Sequence, residues 1–244
     1  MRYLIISDIH SNLAAFEAVL ADAGYFDQVW CLGDMVGYGP DPNECVERLR
    51  DLPHICVAGN HDWATLGKLD IKDFNPDAQK ACLWTREQLS PSNWAYLEAL
   101  PESLAEEGFT LVHGSPRHPI WEYMLSPSIA EANFECFDTR FCFVGHTHVP
   151  IIYRHYPQNP NRTCDVLMPS PDARLVLGEN RLIINPGSVG QPRNGDPRAS
   201  YAVLDSDALT LEYRRIPYPI EVTQERMKKK NLPARLIIRL GYGW

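Results

Sequence analysis

No apolar run in this 244-residue chain approaches the length of about 18 residues that a membrane-spanning helix requires. The apolar opening of "MRYLIISDIH" meets Asp8 too early to serve as a secretory signal. Basic residues are also scarce, 23 Lys and Arg against 31 Asp and Glu. The resulting net charge of -8 excludes broad affinity for nucleic-acid polymers or anionic membranes, both of which need a basic surface. The seven cysteines are an odd number with no Cys-x-x-Cys pair, so neither a disulfide framework nor a zinc ribbon is indicated, and a reducing cytoplasm fits best. There is no internal repeat and no low-complexity tract. What is present, 45% hydrophobic and 22% charged residues, is ordinary globular usage, read here as a single domain over 1–244 with homo-oligomerisation left open.

The first sixty residues alternate short apolar runs with helical periodicity. Tyr3 to Ser7, Val29 to Leu32 and Ile55 to Ala58 read as strands. Leu13, Phe16, Leu20 and Ala23 recur at helical spacing behind an N-cap at Ser11 or Asn12, and Pro42 to Arg50 reads as a second helix. This β-α-β-α-β rhythm implies a parallel sheet, and ligands of such sheets gather at the carboxyl ends of the strands. Residues from about 62 to 100 turn helical, with Ala78 to Leu89 and Asn93 to Leu100 as the clearer pieces, and read as an insertion over the sheet. Strand-like runs return at Phe109 to Val112, Phe141 to Val144, Leu182 to Ile184, Tyr201 to Leu204 and Leu209 to Tyr213, the last two as a hairpin, and imply a second sheet. Tyr156 to Pro171, with four prolines, reads as a surface loop, and the C-terminal Leu236, Ile237 and Leu240 as a last helix packed on the body.

Each early strand ends in a residue able to bind metal. Asp8 and His10 follow the first, Asp34 the second, Asn60 and His61 the third; His113 follows "FTLV", and His146 and His148 follow "FCFV". Taken singly, each has a plain explanation: a turn cap, a common loop dipeptide, a satisfied buried histidine, or, for His-x-His, a solvated turn. Their joint placement at five strand ends points to one site. The set is oxygen and nitrogen without thiolate, which suits manganese foremost, with iron, zinc, nickel or cobalt as alternatives, rather than calcium or a structural zinc. A carboxylate such as Asp34 can bridge two ions about 3.5 to 4 Å apart that share a hydroxide and clamp an in-line displacement, which is phosphoester hydrolysis chemistry. The His-x-His-x-Asp-His signature of metallo-β-lactamase-like hydrolases is missing after His148, and the first strand lacks the His-x-His of barrel amidohydrolases.

In order along the chain, "DIH", "GD", "GNHD", a lone histidine after a strand and "GHTH" resemble the calcineurin-like metallophosphoesterases. Asn185 to Asp205 is similar to the segment that follows the histidine pair in small bacterial and archaeal phosphodiesterase-like members. The resemblance implies an α/β fold, a four-layer α/β/β/α sandwich of two mixed sheets flanked by helices. It assigns Asp8, His10 and His148 to one divalent metal, Asn60, His113 and His146 to a second, and Asp34 to both. It further implies that His61 lies beside the scissile group as a general acid, with Asp62 orienting it.

The resemblance departs from the protein serine/threonine phosphatases at "GDMVGYGPDP", where Gly37 and Tyr38 stand in place of Asp and Arg. Arg193, Arg198 and Arg117 are the substitute candidates for gripping phosphate. Tyr38, Trp63, Trp84 and Trp121 are candidates for an aromatic platform under a nucleobase. The expectation is a binuclear phosphoesterase, hydrolysing phosphodiester or phosphomonoester bonds of small substrates such as nucleotides or dinucleoside polyphosphates. Its alternatives are a phosphoprotein phosphatase and a non-catalytic scaffold of the same fold.

Overall fold

The first strand, Arg2–Ile6 (β1), shows how the layers arise. In the computed structural model Leu4 and Ile6 point into one core and Tyr3 and Ile5 into another, and all four are buried. A strand buried on both faces reads as an unbroken apolar run, because period two then carries no polar side. The structure describes residues 1–156 and 164–244. The remaining strands are β2 Gln28–Cys31, β3 His54–Cys56, β4 Ser103–Glu106, β5 Phe109–Val112, β6 Phe141–Phe143, β7 Ile151–His155, β8 Cys164–Leu167, β9 Arg174–Val176, β10 Arg181–Asn185, β11 Ala199–Asp205 and β12 Thr210–Ile216. The helices are α1 Leu13–Ala23, α2 Pro42–Arg50, α3 Asn60–Leu66, α4 Pro76–Gln88, α5 Pro91–Glu98, α6 Pro127–Asn133, α7 Ile220–Lys229 and α8 Ala234–Arg239.

Two six-stranded mixed sheets result, ordered β3-β2-β1-β11-β12-β9 and β4-β5-β6-β10-β7-β8. In the first, β1, β2 and β3 run parallel and β11 joins β1 antiparallel, so three carboxyl ends meet at one edge. In the second, β5, β6 and β10 run parallel. Trp30, Leu32, Phe109, Phe141, Phe143 and Ile184 fill the space between the sheets. Helices α1, α2 and α5 cover the outer face of the first sheet, and α6 that of the second, which gives the four layers. A smaller cluster joins α3 and α4 to α7 and α8 through Ala64, Cys82, Met227, Leu236 and Ile237. No helix among the described residues is long and apolar enough to cross a membrane.

The hairpin forms, with Asp205 opposite Thr210. Within the stretch read as a loop, 157–163 lie outside the described residues, whereas Cys164–Leu167 pairs with β7 as an edge strand.

Candidate metal centre

The carboxyl ends of β1 and β2 are stitched together by backbone bonds, Asp8 N–H to Gly33 O and His10 N–H to Asp34 O, both 3.0 Å. Asp8, His10, Asp34, His146 and His148 all have φ between +50° and +64°. Left-handed backbone is unfavourable for residues with a Cβ, and its accumulation here turns five side chains towards one point. The third loop fits only because residue 59 is glycine: a Cβ there would lie 2.1 Å from Asp34 Oδ1. From the other side, Ser188 Oγ donates to Asp8 O and Gly190 N–H donates to the same oxygen, so the "NPGSVG" turn braces the first loop.

Two groups of donor atoms result. Ligand atoms of Asp8, His10, Asp34 and His148 lie within 4.8 Å of one another, as do those of Asp34, His113 and His146. Asp34 belongs to both. Its Oδ1 accepts from the His61 N–H at 2.8 Å, while Oδ2 lies 3.6 Å from His10 Nε2 and 3.3 Å from His113 Nε2. Asn60 Oδ1 is 3.0 Å from His113 Nε2, completing the second group.

The far nitrogens decide what the imidazoles present. Nδ1 of His10, His113 and His148 faces the carbonyls of Val36, Leu32 and Gln191 at 3.1, 2.7 and 2.5 Å, and Nε2 of His146 faces the Trp121 carbonyl at 3.0 Å. A carbonyl only accepts, so these nitrogens carry the protons and the opposite ones offer lone pairs inward. Inside, those nitrogens crowd in pairs, His10 against His148 at 3.1 Å and His113 against His146 at 3.2 Å. Asp8 Oδ1 and Asp34 Oδ2 are buried without any hydrogen-bond partner. Converging lone pairs and orphaned anionic oxygens fit divalent cations.

Burial alone would raise Asp34, but the neighbouring His113 and His61 outweigh it and hold the carboxyl below its ordinary range; Asp8 is lowered similarly, with His148 opposing burial. Burial lowers His10, His146 and His148, which favours the neutral, ligating imidazole, whereas at His113 burial is outweighed by Asp34, which raises it to about 9. His61 is pushed down to about 4, mainly by burial.

His61 sits above the centre, 4.9 Å from the His10 ring and 4.2 Å from that of Tyr38. The expected orienting contact from Asp62 is replaced by a different one. Asp62 accepts from the backbone N–H groups of Asp34, Gly59 and Val36 at 2.9, 2.9 and 3.2 Å and so locks two loops together, because the start of α3 aims it inwards. The ring nitrogen of His61 faces Cys82 Sγ instead, at 3.4 Å. Of the three arginines, only Arg193 borders the site, its Nη2 donating to Gln191 Oε1 and Tyr38 Oη. Arg117 is paired with Glu122, and Arg198 with both oxygens of Asp196 at 3.0 and 3.1 Å. Tyr38 and Trp121 lie near the centre, while Trp63 and Trp84 pack among the helices. Sequence reasoning missed Cys82, and Tyr123, whose ring stacks on His146 at 3.8 Å. A lone cysteine and a loop tyrosine carry no pattern by which to find them.

The sequence matches the family model of the calcineurin-like phosphoesterase superfamily domain over residues 1–208. The chain belongs to that superfamily. It is accordingly a phosphoric ester hydrolase. A metallophosphoesterase from Sphaerobacter thermophilus is 51% identical with a TM-score of 0.91, the match covering 100% of this chain and 99% of that one. An uncharacterised protein of Methanocaldococcus jannaschii is 38% identical over 98% of this chain and 97% of its own length. A symmetrical bis(5'-nucleosyl)-tetraphosphatase of Actinobacillus pleuropneumoniae is 27% identical over 54% of this chain and 52% of its own, so that likeness spans only about half of each protein.

Proposed function

We propose that this phosphoesterase uses two divalent ions, manganese foremost, to hydrolyse small soluble phosphodiesters or phosphomonoesters in the cytoplasm, nucleotides and dinucleoside polyphosphates being the leading class. The observation that carries the reading is Asp34 Oδ2, buried, without a donor, and flanked by His10 of one donor group and His113 of the other. Asp8, His10 and His148 would hold one ion, Asn60, His113 and His146 the other, and Asp34 both. Such ions supply Lewis acidity and an activated water for in-line displacement.

The chain's own residues do the rest. Backbone carbonyls fix the imidazole tautomers, Asp62 holds the Asp34 and Gly59 loops in register, and His61 faces the open side of the centre as the proton donor to the departing oxygen. The dinucleoside tetraphosphatase likeness supports, at half-length, a nucleotide substrate.

Elemental analysis with turnover of bis-p-nitrophenyl phosphate and p-nitrophenyl phosphate after Mn²⁺ addition tests the proposal. About two metals per chain and clear diesterase activity are expected. Preference for the monoester would redirect the search to phosphatase substrates; tight metal without turnover would favour a scaffold, and no metal would sink the assignment.

A further inference from the structure

A cavity of about 630 Å³ opens beside the metal centre, between Tyr38 and Tyr123 on one side and α8 on the other, with Arg193, Arg235 and Arg239 in its wall. Tyr38 is the joint between the two. Its ring lies 4.6 Å from that of His10 and 4.2 Å from that of His61, while the guanidinium carbons of Arg193 and Arg239 lie 5.8 and 5.9 Å from the same ring. Arg193 and Arg239 therefore stand against the Tyr38 ring, whose other neighbours are His10 and His61 of the centre.

Their charge is poorly compensated. Among the described residues none of the three forms an ion pair with a side-chain carboxylate, although most other arginines near an acid do so, as Arg117, Arg198 and Arg214 illustrate. Asp77 is the carboxylate among the lining residues. Arg239 Nε donates to the backbone oxygen of Trp244, and burial together with the charge of Arg193 pulls its guanidinium down to about 10. Arg193 Nε is buried and has no hydrogen-bond partner. In a chain of net charge -8, three guanidinium groups share one cavity wall with a single acidic side chain, Asp77, and with a vacant donor on Arg193, an arrangement suited to an anion.

We propose that Arg193, Arg235 and Arg239 form a subsite for a second phosphate, so that the substrate is an oligophosphate whose scissile group lies at Asp34 and whose neighbouring phosphate is forked by guanidinium groups. Guanidinium matches phosphate oxygens bidentately, and the spacing selects a chain of phosphates over a lone one. The inference rests on the reading of the Asp34 centre as the hydrolytic site. Arg235 and Arg239 lie beyond residue 208, outside the span of the superfamily match, so two of the three groups come from the last helix and Arg193 from the shared domain.

Inorganic tripolyphosphate titrated calorimetrically into EDTA-stripped protein tests the subsite without any turnover. Saturable binding is expected, weakened about tenfold or more in R235A/R239A and partly restored in R235K/R239K. The single variant R235A, altered at an exposed side chain, guards against misfolding of the double variant and is expected to weaken binding in the same direction. Absent binding, or equal affinity in all forms, overturns the subsite. In Mn²⁺-loaded protein the ratio of kcat/KM for a dinucleoside tetraphosphate to that for bis-p-nitrophenyl phosphate should fall about tenfold in R235A/R239A. Equal losses on both substrates would overturn it too. Arginine-dependent tripolyphosphate binding with no turnover of either ester would leave the subsite standing and remove the hydrolytic reading. Diester turnover with arginine-independent binding would do the reverse.

Discussion

Asp34 concentrates the chemistry in one carboxylate. One oxygen holds the α3 loop through His61 N–H, and the other is left without a donor between two imidazoles. Asn at this position would keep the shape but place an amide between like partners. Asp34→Asn is therefore expected to abolish diester turnover and to reduce metal content measured by elemental analysis. His61→Ala removes a ring that faces the centre but supplies no donor atom to either group. It should keep its metal while kcat falls about 10²-fold, the usual scale for a lost proton donor; loss of metal instead would make His61 a ligand. Glu122 supplies a prediction away from the chemistry. It accepts from Arg117, Ser115 Oγ at 2.7 Å and Asn133 Nδ2 at 2.9 Å. Burial would raise its carboxyl, but these donors, led by Arg117, hold it at about 2 instead of 4.5. Because the folded value is depressed, the stabilisation is complete above pH 4.5 and is lost as pH falls towards 2. In urea titrations Glu122→Gln should be less stable than the parent at neutral pH, with the gap closing through that window. Every candidate metal residue was legible because it follows an apolar run. Tyr123, Cys82 and the α8 arginines were not, since they meet the site through folding of distant segments.

The elements the sequence reveals are those buried on two faces. β1, β2, β5 and β6 are short apolar runs with their ends marked by glycine or by the site residues themselves. The strands it conceals are β4, β7, β8 and β9: β4, β8 and β9 are sheet edges with largely exposed side chains, and β7, though inside the second sheet, is only half-buried at three of its five positions, so neither an apolar run nor a clean alternation announces them. Helices α4 and α5 were readable from their helical pattern behind Pro76 and Pro91, where Asn75 and Ser90 cap them. The start of α1 does more than cap. Asn12 Oδ1 accepts from Ala15 N–H and Thr223 Oγ1, and Nδ2 donates to Gly190 O and Tyr218 Oη, so one amide joins α1, α7 and the loop behind Asp8. Asn12→Ala should cost about 2 to 3 kcal/mol in chemical unfolding, beyond the value of an ordinary N-cap. Asn12→Asp, which keeps the acceptor and loses the two donors, should fall between.

For the whole molecule, the site joins the sheets rather than belonging to either. Asp8, Asp34 and Asn60 follow strands of the first sheet; His113, His146 and His148 follow strands of the second. Left-handed backbone at four of these positions and at His10 costs roughly 1 kcal/mol or more each, and the two orphaned carboxylate oxygens add desolvation. Cations that bind only the folded arrangement would offset both. Stripping with EDTA should lower the midpoint of thermal unfolding by several degrees, and Mn²⁺ should restore it, whereas an unchanged midpoint would show that the scaffold carries the strain unaided. The same arrangement sets an order of events during synthesis. Asp8 leaves the ribosome well before its partner His148, which follows 140 positions later, and the arginines of α8 come later still. A growing chain thus carries half a chelate over that interval, and only the second sheet's arrival turns an acidic strand end into a place where a cation stays.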